Sequence, residues 1–116
     1  MIAYVCLGTN DLERATGYYN ALLAPMGASM LMDFGRGRAW GTAPNQPMLS
    51  AILPFDGQPA QPGNGTMSAL LCASRAQVEA QYKLALQLGG TDEGAAGPRG
   101  DGFYAGYFRD LDGNKL

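Results

Sequence analysis

Shifted along itself by 63 residues, the sequence lies over its own second half without a gap. YVCLGTNDLERATGYYNALLAPMGA (4–28) aligns with MSALLCASRAQVEAQYKLALQLGGT (67–91). Leu7 meets Leu70, Tyr19 meets Tyr82, Leu23 meets Leu86 and Gly27 meets Gly90. Asp11 falls on Ser74, and both types cap a helix by accepting a hydrogen bond from its first free N–H groups. Self-similarity of this kind restricts the chain to folds in which one unit is used twice.

Each copy reads in the same order. Residues 2–8 and 67–73 are apolar runs of strand length, and the spacing predicts helices over about 11–23 and 75–88. In the second helix Val78, Tyr82, Leu84, Ala85 and Leu88 form an apolar stripe. Gly27 and the Gly89–Gly90 pair end the helical segments. Extended stretches follow at about 28–34, 37–43 and 47–54 in the first copy, with GRG and APNQP as turns. The second copy offers 92–98, 103–109 and a last strand beginning near Asn114. The sequence therefore predicts an α+β fold of two tandem βαβββ modules, a curved mixed sheet with outer helices and a concave cup. Residues 1–116 form one domain in this reading: module one about 1–54, a Pro/Gly-rich linker 55–65, and module two 66–116. Alternation places Tyr4, Cys6 and Gly8 on one strand face, and Met67, Ala69 and Leu71 on the equivalent face of the second copy.

Composition narrows the function. A net charge of −2, with eight scattered basic residues, argues against nucleic acid as a partner. No apolar stretch reaches the roughly 20 residues that span a bilayer, and the N-terminus lacks signal-peptide character. A cytoplasmic protein without membrane contact is the expectation. Cys6 and Cys72 both lie in apolar runs and read as buried thiols. The chain has no histidine, which removes imidazole as a metal ligand or general base.

The repeated unit, with GNGTMSALLCASRAQVEAQYKLALQLGGTDEGAAGPR and FYAGYFRDLDGNKL, resembles the vicinal oxygen chelate superfamily over the length of the chain. That superfamily comprises glyoxalases, bleomycin-resistance proteins and extradiol dioxygenases, and the likeness is to its small bacterial glyoxalase-like branch. The resemblance implies a divalent metal in the cup, held by a residue of each module's first strand and one of the last strand. Carried over, the first two positions are Tyr4 and Met67, and the third falls just beyond Leu116. A phenol with a pKa near 10 ionises only with strong help, and a thioether prefers soft metals. The expectation is therefore no metal and no cofactor.

On this reading the cup binds a small organic molecule, with Tyr4, Met67, Trp40, Tyr104, Tyr107 and Arg38 as candidate ligand-binding residues. Arg38, beside Arg36 in GRGRAW, offers a bidentate fork for an anionic group. Trp40, Tyr104 and Tyr107 suit a core position equally well. The resemblance leaves three functions open: a sequestering or resistance-type binding protein, a lactoylglutathione-lyase-like lyase or dioxygenase with non-standard ligands, or a non-catalytic partner subunit. It also implies a homodimer.

The stretch DLDGNKL (110–116) alternates Asp110, Asp112 and Asn114 as a calcium loop does. Such a loop needs glycine at its sixth position, and here the sixth residue is Lys115. The stretch reads instead as a surface hairpin turn leading into the last strand.

Overall fold

The computed structural model describes Met1 to Leu116. Its first half runs β1 (Tyr4–Gly8), α1 (Leu12–Leu23), a single 3-10 turn (Ala24–Met26), β2 (Ser29–Asp33), β3 (Gly37–Gly41) and β4 (Met48–Ile52). Its second half contains α2 (Arg75–Gln87), β5 (Thr91–Pro98) and β6 (Tyr104–Arg109). Both predicted caps form: the Asp11 carboxylate accepts from Arg14 N at 3.0 Å and the Ser74 hydroxyl from Gln77 N at 3.1 Å. Gly27 takes a φ of 77° after α1, and Gly89 a φ of 106° after α2.

The first four strands make one mixed sheet in the order β1-β4-β3-β2. β4 lies parallel to β1 and antiparallel to β3, pairing Val5 with Leu49 and Leu49 with Trp40. Alternation then decides the core. Leu7, Leu49, Ala51 and Trp40 point to one face, where Ala15, Tyr19, Leu22 and Leu23 of α1 cover them. Each fully buried leucine among them contributes roughly 1.5–3 kcal/mol. The Tyr19 ring packs 5.4 Å from both Trp40 and Tyr18. The halves are tied by Tyr18 Oη donating to Ala85 O and Gln81 Nε2 donating to Leu22 O.

In four places the structure departs from the sequence reading. Residues 67–73 are extended but are not a strand, because their only backbone–backbone hydrogen bond is Ser68 N to Lys115 O at 3.1 Å. The last strand reduces to an antiparallel bridge between Arg109 and Lys115, so β5 and β6 form a two-stranded sheet of their own. Cys6 is exposed and Cys72 half-buried, since the face of β1 that carries Cys6 has no helix over it.

The DLDGN turn is also internal, contrary to its surface reading. Asp110 is 5% exposed and Asn114 9%. Asp110 accepts from Tyr19 Oη (2.5 Å), the backbone N–H of Asp112 and Asn114, and the Asn114 amide. Asp112 receives the Thr9 hydroxyl, Asn10 N and Arg14, and Asn114 Nδ2 donates to Gly8 O. The turn docks into the β1–α1 connection, and its polar groups are buried because they are paired. No helix is long and apolar enough to cross a membrane.

Candidate ligand-binding face

The side of the first sheet turned away from α1 carries Tyr4 and Cys6 of β1, Met48, Ser50 and Ile52 of β4, and Gly37, Ala39 and Gly41 of β3. The small residues of β3 are required there. A Cβ on Gly37 would stand 2.7 Å from the Phe34 ring, which folds back across this face. Large apolar groups are left in the open: Tyr4 is 63% exposed and Met32 49%. None of these residues carries a formal charge, so the face offers an apolar surface with the Tyr4 phenol and the Cys6 thiol as its exposed polar tips, while Ser50 is buried.

The equivalent face of the second half is formed by Met67, Ala69 and Leu71, all exposed, alternating with half-buried Ser68, Leu70 and Cys72. Burial raises the Cys72 thiol above its ordinary value. The alternation along 67–72 is the one expected of its repeat partner β1, although no ladder holds it. Tyr107 of β6 lies between Arg99 (5.2 Å from the ring) and Lys115 (5.4 Å), a cation above an aromatic ring in each case.

Three of the six candidate residues converge: Met67, Tyr104 and Tyr107 line one cavity with Val78 and Tyr82 of α2. Tyr4 stands apart, exposed on the first sheet. Trp40 is in the core at 1% exposure, its Nε1 donating to Asn20 Oδ1 at 2.7 Å. Arg38 shares that strand face. It is taken up by Glu13 and Thr16 of α1 and by Asp33 of β2. Its guanidinium holds Glu13 below the usual carboxylate range, and the Gly35 N–H with Arg38 does the same for Asp33. Tyr104 faces α2, where its hydroxyl donates to Glu79 at 2.6 Å and Arg75 lies 5.1 Å from its ring; the Glu79 bond raises its pKa.

Strand parity explains these placements. Arg38 and Trp40 are two residues apart and must share a face, and the alternation of GRAWG puts the small residues on the other. Tyr104 and Tyr107 are three apart and must take opposite faces. The sequence reading missed Met32 and Phe34, both exposed; a register shift between Met30 and Met32, which no alternation pattern shows, sets Met32 opposite Ala39. No three His, Cys, Asp or Glu side chains cluster as metal ligands do.

No family model and no curated protein matches the sequence. Solved structures do. A glyoxalase/bleomycin resistance protein from Albidiferax ferrireducens T118 superposes with a TM-score of 0.90 at 34% identity, over 99% of this chain and 93% of that one. A glyoxalase-related enzyme from Fulvimarina pelagi gives 0.77 at 20% identity, over 99% and 84%. A glyoxalase/bleomycin resistance protein/dioxygenase family enzyme from Burkholderia phytofirmans PsJN gives 0.70 at 15% identity, over 97% and 92%. The last two share the fold; the first shares enough sequence to show kinship. This chain belongs to the glyoxalase/bleomycin resistance protein/dioxygenase superfamily, with its vicinal oxygen chelate fold.

Proposed function

We propose that the protein binds a small, largely apolar organic molecule against the helix-free faces of its two modules, as a sequestering or resistance-type protein, without a metal ion. The observation that carries this reading is the pair of side chains at the family's metal positions. Tyr4 and Met67 are both exposed on those faces, one a phenol and the other a thioether. A hard divalent cation is poorly served by either. The chain supplies no imidazole and no carboxylate cluster in their place, so the residues present do not fit the ion. What they do fit is an aromatic or aliphatic ligand, to which a phenol edge and a polarisable sulfur offer contact.

A homodimer is part of the proposal. A 12.2 kDa monomer is expected to expose about 6,100 Å², and this chain exposes 6834 Å². The excess is close to the roughly 800 Å² that each partner buries in a standard interface.

A thermal-shift screen with aromatic and thiol-adduct compounds tests the binding reading. At ten times Kd a ligand adds about 1.4 kcal/mol, which raises Tm by about 4–6 °C for a chain of this size. Tyr4→Ala and Met67→Ala should each lose most of that shift while folding normally. A screen in which no compound raises Tm, or in which both variants respond as the parent does, contradicts the proposal.

A further inference from the structure

Of the asparagines at 10, 20, 45, 64 and 114, only Asn64 precedes a glycine. Asp56, Asp101 and Asp112 precede one as well. Such pairs share one intramolecular reaction, because glycine lacks the Cβ that would crowd its N–H. Its backbone nitrogen can attack the side-chain carbonyl carbon of the residue before it and close an imide ring. The structure treats the four pairs differently. Asp112 is fixed by Thr9, Asn10 and Arg14, and Gly113 N donates to Asp110 O at 3.1 Å. Asp56 accepts from Gln58 N at 2.9 Å, and Gly57 N donates to Pro54 O at 3.2 Å. In both pairs the electrophile and the nucleophile are held by other partners.

At Asn64 and Gly65 neither is held. The Asn64 amide and the Gly65 N–H make no hydrogen bond within the chain, and both residues are exposed. They are the central pair of a turn closed only by Thr66 N donating to Gly63 O at 3.4 Å, a long bond, with Gly65 at a φ of 86°. Asp101 and Gly102 are equally untied, but a carboxylate resists attack where an amide accepts it. We propose that Asn64 is a site of spontaneous covalent modification, becoming aspartate and isoaspartate in the folded protein while Asp56 and Asp112 persist. Gly65 N bonds to Cγ of Asn64, the Cγ–Nδ2 bond breaks, and ammonia leaves with the proton given up by the Gly65 nitrogen. Water then opens the imide. Opening at Cγ leaves aspartate; opening at the main-chain carbonyl carbon of residue 64 leaves isoaspartate, whose backbone is one methylene longer. Water is the only co-reactant. Either product adds one negative charge, at the junction of the two modules, to a chain whose net charge is −2. The proposal is independent of the small-molecule reading, since it requires no ligand.

The test keeps the intact chain at mildly alkaline pH for several days, folded and, in parallel, in guanidinium chloride. Both samples are then digested, the peptides weighed, and the isoaspartate forms resolved by chromatography. Folded Asn64 should convert within about fivefold of its rate in denaturant, because no opening step precedes the attack. Asp56 and Asp112 must wait for their turns to open, so folding should slow each of them more than about fivefold. Asn64→Gln, whose longer side chain closes a ring far less readily, should abolish the modification of this peptide. Slowing of Asn64 by more than fivefold on folding overturns the proposal, as does conversion of Asp56 or Asp112 within fivefold of its denatured rate. Conversion of Asn10, Asn20, Asn45 or Asn114 ahead of Asn64 overturns it too, as does a modified peptide that survives in Asn64→Gln.

Discussion

Gly27 and Gly90 occupy the same position in the two repeats, yet the structure needs them for different reasons. Gly27 has a φ of 77° and open space where a Cβ would be. Gly90 has an ordinary φ, but a Cβ there would lie 2.7 Å from Ala85 O and from Tyr18 Oη, and 2.8 Å from Arg109 O. The left-handed turn has moved to Gly89 in the second copy. A shared residue in an ancient repeat therefore marks a shared place, not a shared physical task. The same holds for the modules as wholes. The first builds a four-stranded sheet and contributes most of the core, whereas α2 buries only Gln81 and Ala85 and packs on a sheet of two strands.

That asymmetry is open to direct attack. The largest effect is expected at Trp40, which fills the centre of the first module. Trp40→Ala removes a fully buried ring and leaves Asn20 without its donor, costing about 3–5 kcal/mol in urea unfolding. Tyr104→Ala, on the half-exposed side of α2, should cost about 1 kcal/mol. Equal costs would show that the two modules are equally consolidated.

Asp110→Ala comes next. It strands the Tyr19 hydroxyl, two backbone N–H groups and the Asn114 amide in a buried junction. The expected loss is about 3 kcal/mol, with both modules loosening together because the turn belongs to one and docks on the other. A loss under 0.5 kcal/mol would mean that the turn is the surface feature its composition implies.

The glycine pair separates strain from crowding. Gly90→Ala should cost about 2–3 kcal/mol, because the neighbours are backbone atoms and a buried hydroxyl that cannot yield. Gly27→Ala should cost about 1 kcal/mol, the penalty of a left-handed backbone. The reverse order would contradict the packing of Gly90.

The smallest effects are those of pH. Glu13 and Asp33 beside Arg38, and Glu93 beside Arg109, are held below their ordinary values. The unfolded chain therefore binds more protons in that range, and stability is full above the ordinary carboxylate pKa of about 4 and falls as pH drops below it. These groups are exposed, so the change is modest. Tyr18 and Tyr19 are shifted upward by burial, with the Asp110 charge adding to it. Their contribution is complete below pH 10 and is lost as pH rises above it. Tyr19→Phe should flatten the alkaline limb of a Tm-against-pH curve and leave the acid limb unchanged; an unaltered alkaline limb would place its cause elsewhere.

Local signals carried the helices, both caps and the strand positions of the first module to within two residues at either end, because Asp11, Ser74 and the apolar periods act within one turn. Residues 67–73 have the alternation of a strand but not its pairing, since pairing depends on residues distant in the chain that no local pattern encodes; the one backbone partner is Lys115, which bonds Ser68. Asp110 to Asn114 read as exposed for the same reason: their burial is created by Tyr19, Thr9 and Gly8, all about a hundred residues away. Of the candidate residues, the exposure of Tyr4 and Met67 was legible through strand alternation in the repeat. Trp40 and Arg38 were drawn into the set by residue type, although their common parity with the α1-facing side of β3 excluded them.

The proposed function requires that Tyr4 and Met67, at the family's metal positions, hold no metal ion. Metal content measured on protein incubated with excess Ni, Zn, Fe and Mn and then desalted addresses that directly. The prediction is less than about 0.1 equivalents of any of them per chain, with Tm unmoved by the metals. Retention of one equivalent per chain, lost on Tyr4→Ala, would contradict it.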